Sequence, residues 1–374
     1  VNDPCQATRQ TLAVPTPLPI TGRPIRLAIV GLGTISELVL PTYADRSDVE
    51  VVALCDRDPD RVARWARVWP AATTAPELSD LGAVDADVID VLVPTPAHGD
   101  VVTAALERGH HVQVQKPLAR NIGQADRMVA LASARGAMLR VMEDYLFFPP
   151  IAALGRVLAS GAIGEPAGIH MKIVATGRGG WDVPLSSYQW QFEQARDGRG
   201  MLVFDHGWHQ LAVAMSLLGD VRRIFAWIGR TEVVPGIGMD APSTLVWEHT
   251  NGVRGVLDIT FAPDTYFRSD YYTGDERIEV TGTQGFARCN RISACGVQEP
   301  SVVVYREGEV RAMHALDDTL PAGFAASTEH VITYLRGETS ELVLDGVAAR
   351  RVLRALLTAL DSSEAGRPLD VDYS

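Results

Sequence analysis

The stretch RLAIVGLGTIS, residues 26–36, decides the fold. Its first five residues, Arg26 to Val30, form a short apolar run of the kind that makes a buried strand. Gly31 and Gly33 follow, and Leu38, Val39 and Leu40 then continue in a helical pattern. The unit is therefore strand, glycine turn, helix. Without side chains at the two glycines, backbone N–H groups can approach a pyrophosphate at the helix N-terminus, where the dipole favours negative charge. Thr34 and Ile35 lie in the same turn and join Gly31 and Gly33 as expected cofactor contacts. Ser36 occupies the third glycine position and is small enough for close helix–strand packing. Such a turn does not settle a function alone; its surroundings must agree.

They do. Residues 49–54 (VEVVAL) read as a second buried strand with Asp56 just past its end, where an acidic side chain meets the adenosine ribose hydroxyls. That carboxylate repels a 2′-phosphate, whereas the neighbouring Arg57 could accept one, so NAD is expected ahead of NADP without excluding it. Asp58-Pro59 opens an amphipathic helix to Val68. A third strand lies within residues 84–93 and ends in Pro94-Thr95-Pro96-Ala97-His98. Ligands sit at the carboxyl ends of strands in such sheets, which places Thr95, Pro96 and His98 near the cofactor. His98 has a second reading, as a cap on a helix from Gly99 to Arg108. HVQVQ is then the fourth strand, delivering Gln115 and Lys116. A helix over Asn121–Gly136 and a strand over Met138–Met142 complete a βαβαβαβαβ order to about residue 145.

Lys116 stands out by type. Only it and Lys172 are lysines among 34 Lys+Arg residues. Arginine stays charged at any reachable pH, whereas a lysine ammonium can be tuned. A single lysine at a strand end, followed by Pro117, points to proton handling. Lys172 reads as solvated on a strand.

The expected division is a proline-rich extended arm over 1–24, a Rossmann domain over 25–145 with a parallel doubly wound sheet, and an α+β domain over 146–374 with a large open, mainly antiparallel sheet. After Ile169 short strands follow one another without helices between them, as in IHMKIVA, RRIFAWIG, STLVWEHT, GVLDITFA, RIEVTGTQG, FARCNR and SVVVYREGEV. A moderately apolar open face predicts a homo-oligomer. Two aromatic, hydroxyl-rich loops suit a polyol: one carries Arg178, Trp181 and Trp190, the other Tyr272. Tyr145, at the domain junction, joins this expected substrate-binding group. A helix from about Leu202 to Leu218 puts Asp205 and His209 at i, i+4 on one face, with His206 turned about 100° away. A carboxylate and an imidazole one turn apart can share a substrate hydroxyl, and histidine can take and return a proton near neutrality. No third ligand accompanies the pair, so no metal is expected.

Net charge of −12 and a pI of about 5.2 argue against nucleic acid or an anionic membrane as partner. Cys5, Cys55, Cys289 and Cys295 lack CxxC spacing and fit a reducing cytoplasm. No run of 18 apolar residues occurs.

The ordered set GLGTIS, CDRD, TPAH, HHVQVQKPLA, then residues 200–219 (GMLVFDHGWHQLAVAMSLLG), IEVTGTQG and EAGRPLDV resembles the glucose–fructose oxidoreductase / inositol dehydrogenase family (Gfo/Idh/MocA) over nearly the whole chain after residue 25. The resemblance implies hydride transfer between a nicotinamide cofactor and a secondary alcohol or ketone of a sugar, cyclitol or derivative, and a homodimer or homotetramer joined through the open sheet face. It implies His209 as acid/base, Lys116 as the group on the reacting oxygen and Asp205 as orienting residue. Some family members instead cleave glycosides by transient oxidation, and a non-catalytic sensor is a third reading; the intact Lys116, Asp205 and His209 set opposes the sensor. Gln115 departs from the family's Glu-Lys-Pro and takes a negative charge away from Lys116.

Overall fold

The computed structural model describes residues 18–180, 183, 185–234, 237–290 and 299–374. Residues 1–17 of the expected arm, Trp181 and Cys295 lie outside the described residues. The first sheet contains β1 (Ile25–Val30), β2 (Val49–Cys55), β3 (Thr73–Ala75), β4 (Val88–Val91), β5 (His111–Gln115) and β6 (Leu139–Met142). All pair in parallel, in the order β3-β2-β1-β4-β5-β6. Its helices are α1 (Ser36–Val39), α2 (Pro41–Ala44), α3 (Pro59–Ala66), α4 (Thr95–Glu107) and α5 (Ile122–Arg135). The strand order reverses between β1 and β4, which opens a crevice at the carboxyl ends of those strands.

Two expectations change. HVQVQ is the fifth strand, because the edge strand Thr73–Ala75 precedes it; three residues with two threonines carry no readable apolar period. The segment after Pro94 is already helical, with Pro96 in the first turn of α4, where a missing N–H costs no hydrogen bond. His98 therefore belongs to α4 and not to a loop before it.

The second domain follows α6 (Pro149–Ala159). It contains β7 (Pro166–Arg178), α7 (Gln189–Arg196), α8 (Gly207–Leu218), β8 (Val221–Ile228), β9 (Thr231–Val234), β10 (Ile237–Met239), β11 (Ser243–His249), β12 (Arg254–Tyr266), β13 (Gly274–Gly282), β14 (Gly285–Asn290), β15 (Val302–Arg306) and β16 (Glu309–Met313). The chain ends with α9 (Leu320–Leu335), α10 (Gly346–Ala365) and β17 (Leu369–Asp370). Nine strands join in the order β16-β15-β14-β13-β7-β12-β11-β8-β17, antiparallel except for the central β7–β12 pair. One face is buried under α6, α8 and α10 by residues such as Ile169, Met171, Leu245, Leu257 and Ile278. The other is open and carries Lys172 among exposed residues.

α9 does not stay with this sheet. Its Leu320, Phe324, Val331, Ile332 and Leu335 share a core with Ile25, Leu27, Ile29 and Tyr43, so it covers one face of the Rossmann sheet. The expected 146–374 unit thus contains a helix that packs on the first domain.

A polar row explains how α9 is held. Asp90, Gln113 and Arg140 are cross-strand neighbours on β4, β5 and β6, and all are buried. The Tyr43 hydroxyl donates to Asp90 Oδ2 at 2.8 Å, and Gln113 Nε2 donates to the Tyr43 oxygen at 3.2 Å. Arg140 donates to Gln113 Oε1 at 2.9 Å and, on α9, to the Ser327 carbonyl at 3.0 Å and hydroxyl at 2.6 Å. The HVQVQ alternation thus has glutamines inside, not at a wet face, because helices cover both sides.

Burial pushes the Asp90 carboxyl up to about 6, against the pull of Tyr43, Gln113 and Arg140. A raised carboxyl pKa gives stability that is complete below its unfolded value of 3.8 and is lost as pH rises through about 6. The full loss is about 3 kcal/mol. Asp90→Asn should abolish it, so the stability of the variant relative to the parent should climb between pH 4 and 7 in denaturant titrations. A pH-independent difference between the two proteins would refute this.

Candidate functional site

The glycine turn takes its shape from sterics. Gly31 has φ +99°, and a Cβ there would sit 2.7 Å from the Leu92 carbonyl carbon and the Val93 nitrogen, so only glycine fits. At Gly33 a Cβ would meet nothing closer than 3.6 Å. Ser36 is fully buried, and its hydroxyl accepts from the Trp65 indole at 3.1 Å. Thr34 and Ile35 remain partly exposed at the crevice. Asp56, at the end of β2, accepts from the Leu32 N–H at 2.6 Å and the Asp58 N–H at 2.8 Å. Arg57 turns outward to Glu77 at 3.0 Å. A glycine turn at the sheet's switch point with a carboxylate beside it fits a dinucleotide.

Thr95 is buried and Pro96 is exposed at the start of α4. His98 is a correction to the expected cofactor or substrate contact. It is fully buried, with Nδ1 2.9 Å from the Pro117 carbonyl and Nε2 2.9 Å from the Val93 carbonyl. Both ring nitrogens lie against backbone carbonyls and the one N–H of the neutral ring donates to one of them, so His98 packs between the β4 end and the turn that carries Lys116. Gln115 is nearly buried, and its amide donates to Met142 Sδ at 3.1 Å.

The structure brings Lys116, Asp205 and His209 together. Lys116 Nζ donates to Asp205 Oδ2 at 2.9 Å and to the Asp205 carbonyl at 3.1 Å. The carboxylate that Gln115 does not provide is thus supplied by the other domain. Gln191 Nε2, from α7, also donates to Asp205 Oδ2 at 3.2 Å.

The expected helix over 202–218 is not uniform. Residues Met201–His206 form a π-type turn, in which the Asp205 N–H reaches the Gly200 carbonyl five residues back at 3.2 Å. The Asp240 carboxylate holds its start by accepting from the Leu202 and Val203 N–H groups at 2.8 and 2.7 Å. Gly200 leaves room for this; a Cβ there would lie 2.1 Å from that carboxylate. Asp205 and His209 face different partners. Asp205 meets Lys116, while His209 Nδ1 lies 2.6 Å from Glu143 Oε1.

Around them is a buried ionisable cluster that the sequence reading missed. Glu276 accepts from the Tyr145 hydroxyl at 2.8 Å and the Gln210 amide at 2.6 Å, and pairs with His206 Nε2 at 2.9 Å. Burial disfavours the His206 imidazolium, but the charge and hydrogen bond of Glu276 outweigh it and raise its pKa. Burial also acts on Glu276, and His206 and Tyr145 reverse it to a net lowering. Burial, Lys116 and His206 push His209 well down, so its imidazole is neutral at pH 7. Burial pushes Glu143 up to about 7 and also raises Asp144, which has Glu143 beside it. Glu143, Asp144 and His209 hold ligand-type atoms within 4.8 Å of one another. The Glu143–His209 contact in that group is a hydrogen bond, and the Lys116 ammonium adds positive charge next to both carboxyls.

Tyr145, expected at the substrate, is buried behind His209 with its ring stacked on the imidazole, centroids 4.1 Å apart. Tyr272 is 38% exposed, with Tyr188, Asp205 and Asp144 nearby. Trp190, in α7, is half-buried, one residue from Gln191. Arg178 is exposed at the end of β7, away from any described ion pair.

Two signals could have found the missed residues. Glu143 and Asp144 directly follow the apolar β6 at its carboxyl end, where ligands gather. Glu276 occupies an inward position between Gly274 and Ile278 in the alternating strand β13.

A parallel nucleotide-binding sheet joined to an open sheet, with lysine, carboxylate and imidazole between them, defines a two-domain dinucleotide-dependent enzyme. Family models agree: residues 25–143 match the oxidoreductase family with NAD-binding Rossmann fold, and residues 151–288 match the GFO/IDH/MocA C-terminal domain. The chain belongs to this oxidoreductase family. D-apiose dehydrogenase of Paraburkholderia graminis is 32% identical, over 70% of this chain and 66% of that protein. D-apiose dehydrogenase of Rhizobium rhizogenes is 26% identical, over 92% and 96%. The fold is shared with an oxidoreductase from Agrobacterium radiobacter in complex with NAD+, L-tartaric acid and magnesium (TM-score 0.79, 23% identity, 93% of this chain and 98% of that one). It is shared too with the WlbA dehydrogenase of Bordetella pertussis bound to NADH and UDP-GlcNAcA (TM-score 0.76, 21% identity, 95% and 99%).

Proposed function

We propose that this chain is an NAD-dependent dehydrogenase that interconverts a secondary alcohol and a ketone on a sugar, cyclitol or sugar derivative. One observation carries the reading: Lys116 of the nucleotide domain and Asp205 of the second domain meet at 2.9 Å, with the neutral His209 one helical turn further on. Relatives that act on apiose and on dTDP-linked sugars support the substrate class.

The Gly31–Ile35 turn and Asp56 would hold the nicotinamide cofactor, which accepts or supplies the hydride. His209, neutral at pH 7, takes the carbinol proton during oxidation and returns it during reduction. Lys116 donates a hydrogen bond to the same oxygen and stabilises the charge that develops there. Asp205 keeps the ammonium in place and offers its carboxylate to a neighbouring hydroxyl. Gln191 donates to Asp205 and Tyr272 lies near it, so a polyol would lie against these side chains, with Trp190 as a further expected contact. Asp56 with an outward-turned Arg57 supports NAD over NADP. Phe225, Val246 and Val256 form one cross-strand row on the open sheet face, and Trp227 beside them is 61% exposed. That surface supports a homodimer or homotetramer. No described helix is long and apolar enough to cross a membrane. Cys55 and Cys289 are buried free thiols, which suits a reducing, cytoplasmic setting.

Lys116→Met and His209→Ala should each lower turnover on the order of 10²–10⁴-fold, followed by NADH absorbance over a panel of sugars and inositols. Near-normal turnover in both would remove the catalytic assignment, and net glycoside cleavage without NADH change would replace it. Asp56→Ala should weaken NAD about tenfold or more, the loss of a charged hydrogen-bond acceptor worth ~1.5–3 kcal/mol, and narrow the gap to NADP. Unchanged discrimination in binding titrations would count against Asp56 as the selector. Trp227→Glu should sediment as a smaller species than the parent; identical sedimentation would exclude the open face as the interface.

A further inference from the structure

The acid/base histidine needs a defined tautomer. A neutral imidazole carries one N–H, and only the bare nitrogen can take a proton from an alcohol. Asp205, the family carboxylate, does not set this, because it is committed to Lys116 and Gln191. The group on His209 Nδ1 is Glu143 Oε1, at 2.6 Å, and both side chains are buried. Glu143 is itself held in place: the same oxygen accepts the Tyr145 N–H at 3.0 Å. The Tyr145 ring lies nearly parallel to the imidazole, at 20°, which fixes the plane in which Nδ1 points at the carboxylate. The Tyr145 hydroxyl is anchored on Glu276 across the domain boundary.

Resting on the oxidoreductase reading, we propose that Glu143 is the positioning residue for His209, accepting its Nδ1–H and leaving Nε2 bare toward the reacting alcohol. The arrangement is a carboxylate–imidazole dyad placed beside the Lys116–Asp205 pair. Glu143 touches neither cofactor nor substrate; it acts through His209. When Nε2 takes the alcohol proton, His209 becomes an imidazolium whose Nδ1–H still faces the carboxylate, so the charge formed in the step has its counter-charge in contact. No other bond changes at Glu143. The groups facing this dyad are Lys116, which opposes the imidazolium, His206, which opposes it further, and Glu276 and Asp205, which favour it; Asp144 lies beside Glu143.

Glu143→Gln keeps the shape and removes the charge. Its kcat for alcohol oxidation should fall on the order of 10²-fold, with KM for NAD and for the sugar within a few-fold of the parent. The acid limb of the kcat–pH profile should move to lower pH, because burial holds Glu143 near 7 in the parent and the glutamine has no carboxyl to protonate there. Glu143→Asp should restore the limb toward the parent position. A kcat loss with an unmoved acid limb, or no kcat loss, would overturn the proposal. A second measurement does not depend on turnover. In ¹⁵N NMR of histidine-labelled protein, with His209 assigned by loss of its signals in His209→Gln, Nδ1 should be protonated and Nε2 bare at pH 8.5, above the value of about 7 to which burial raises Glu143. A proton on Nε2 would overturn the Glu143 role even if no sugar substrate were found. Conversely, the expected tautomer without any dehydrogenase activity would leave the dyad standing and sink the oxidoreductase reading instead.

Discussion

The ion pair between Lys116 and Asp205 is the constraint around which the site is arranged. Both side chains are mostly removed from water, at 17% and 12% exposure. Such a pair repays its desolvation only when geometry and additional hydrogen bonds are good. Here the ammonium also reaches the Asp205 carbonyl, and Gln191 donates to the carboxylate. Each partner comes from a different sheet system, one from the end of β5 and one from the turn before α8. The pair therefore fixes where the two domains stand relative to each other at the point where chemistry is proposed.

The turn before α8 is shaped for this. The π-type turn ends at His206 and the α-helix that carries His209 starts at Gly207; such turns recur at functional sites in other proteins. It is stable here because Asp240 satisfies two of the orphan N–H groups at its start and Gly200 admits that carboxylate. Lys116 with Asp205, His206 with Glu276, and His209 with Glu143 then form three contacts in one buried volume, each joining a proton donor to a carboxylate.

How much of this was legible follows from range. The Rossmann sheet was legible because apolar runs, glycines and caps are local signals that repeat in order. Lys116 was legible through its rarity, and Asp205 with His209 through helical spacing. Glu143 and Glu276 were not, because their partners lie 66 to 131 residues away along the chain and only tertiary packing brings them together. His98 was ambiguous for the same reason: its carbonyl partners at Pro117 and Leu118 belong to the next strand's turn. The polar row of Asp90, Gln113 and Arg140 was hidden differently. Alternating HVQVQ marks a strand but does not name the helices that cover it, and one of them, α9, returns from the far end of the chain.

That return has a consequence for the site. The chain leaves the nucleotide domain near Phe148, builds the open sheet and comes back as α9, where Arg140 binds Ser327 deep in the core. α10 then packs against both α5 and the inner face of the sheet at β8. The two domains are thus tied at several buried places, and the Lys116–Asp205 contact sits between elements that cannot swing apart without breaking them. The walls of the site are built differently. Tyr188, Trp190 and Gln191 lie on a short 3₁₀ turn and the eight-residue α7, and Tyr272 on the loop before β13, none of them in the sheet. Rigidity is concentrated where a proton must be handed over at fixed distance, and variation in side-chain shape is left to the surface that meets the rest of the substrate.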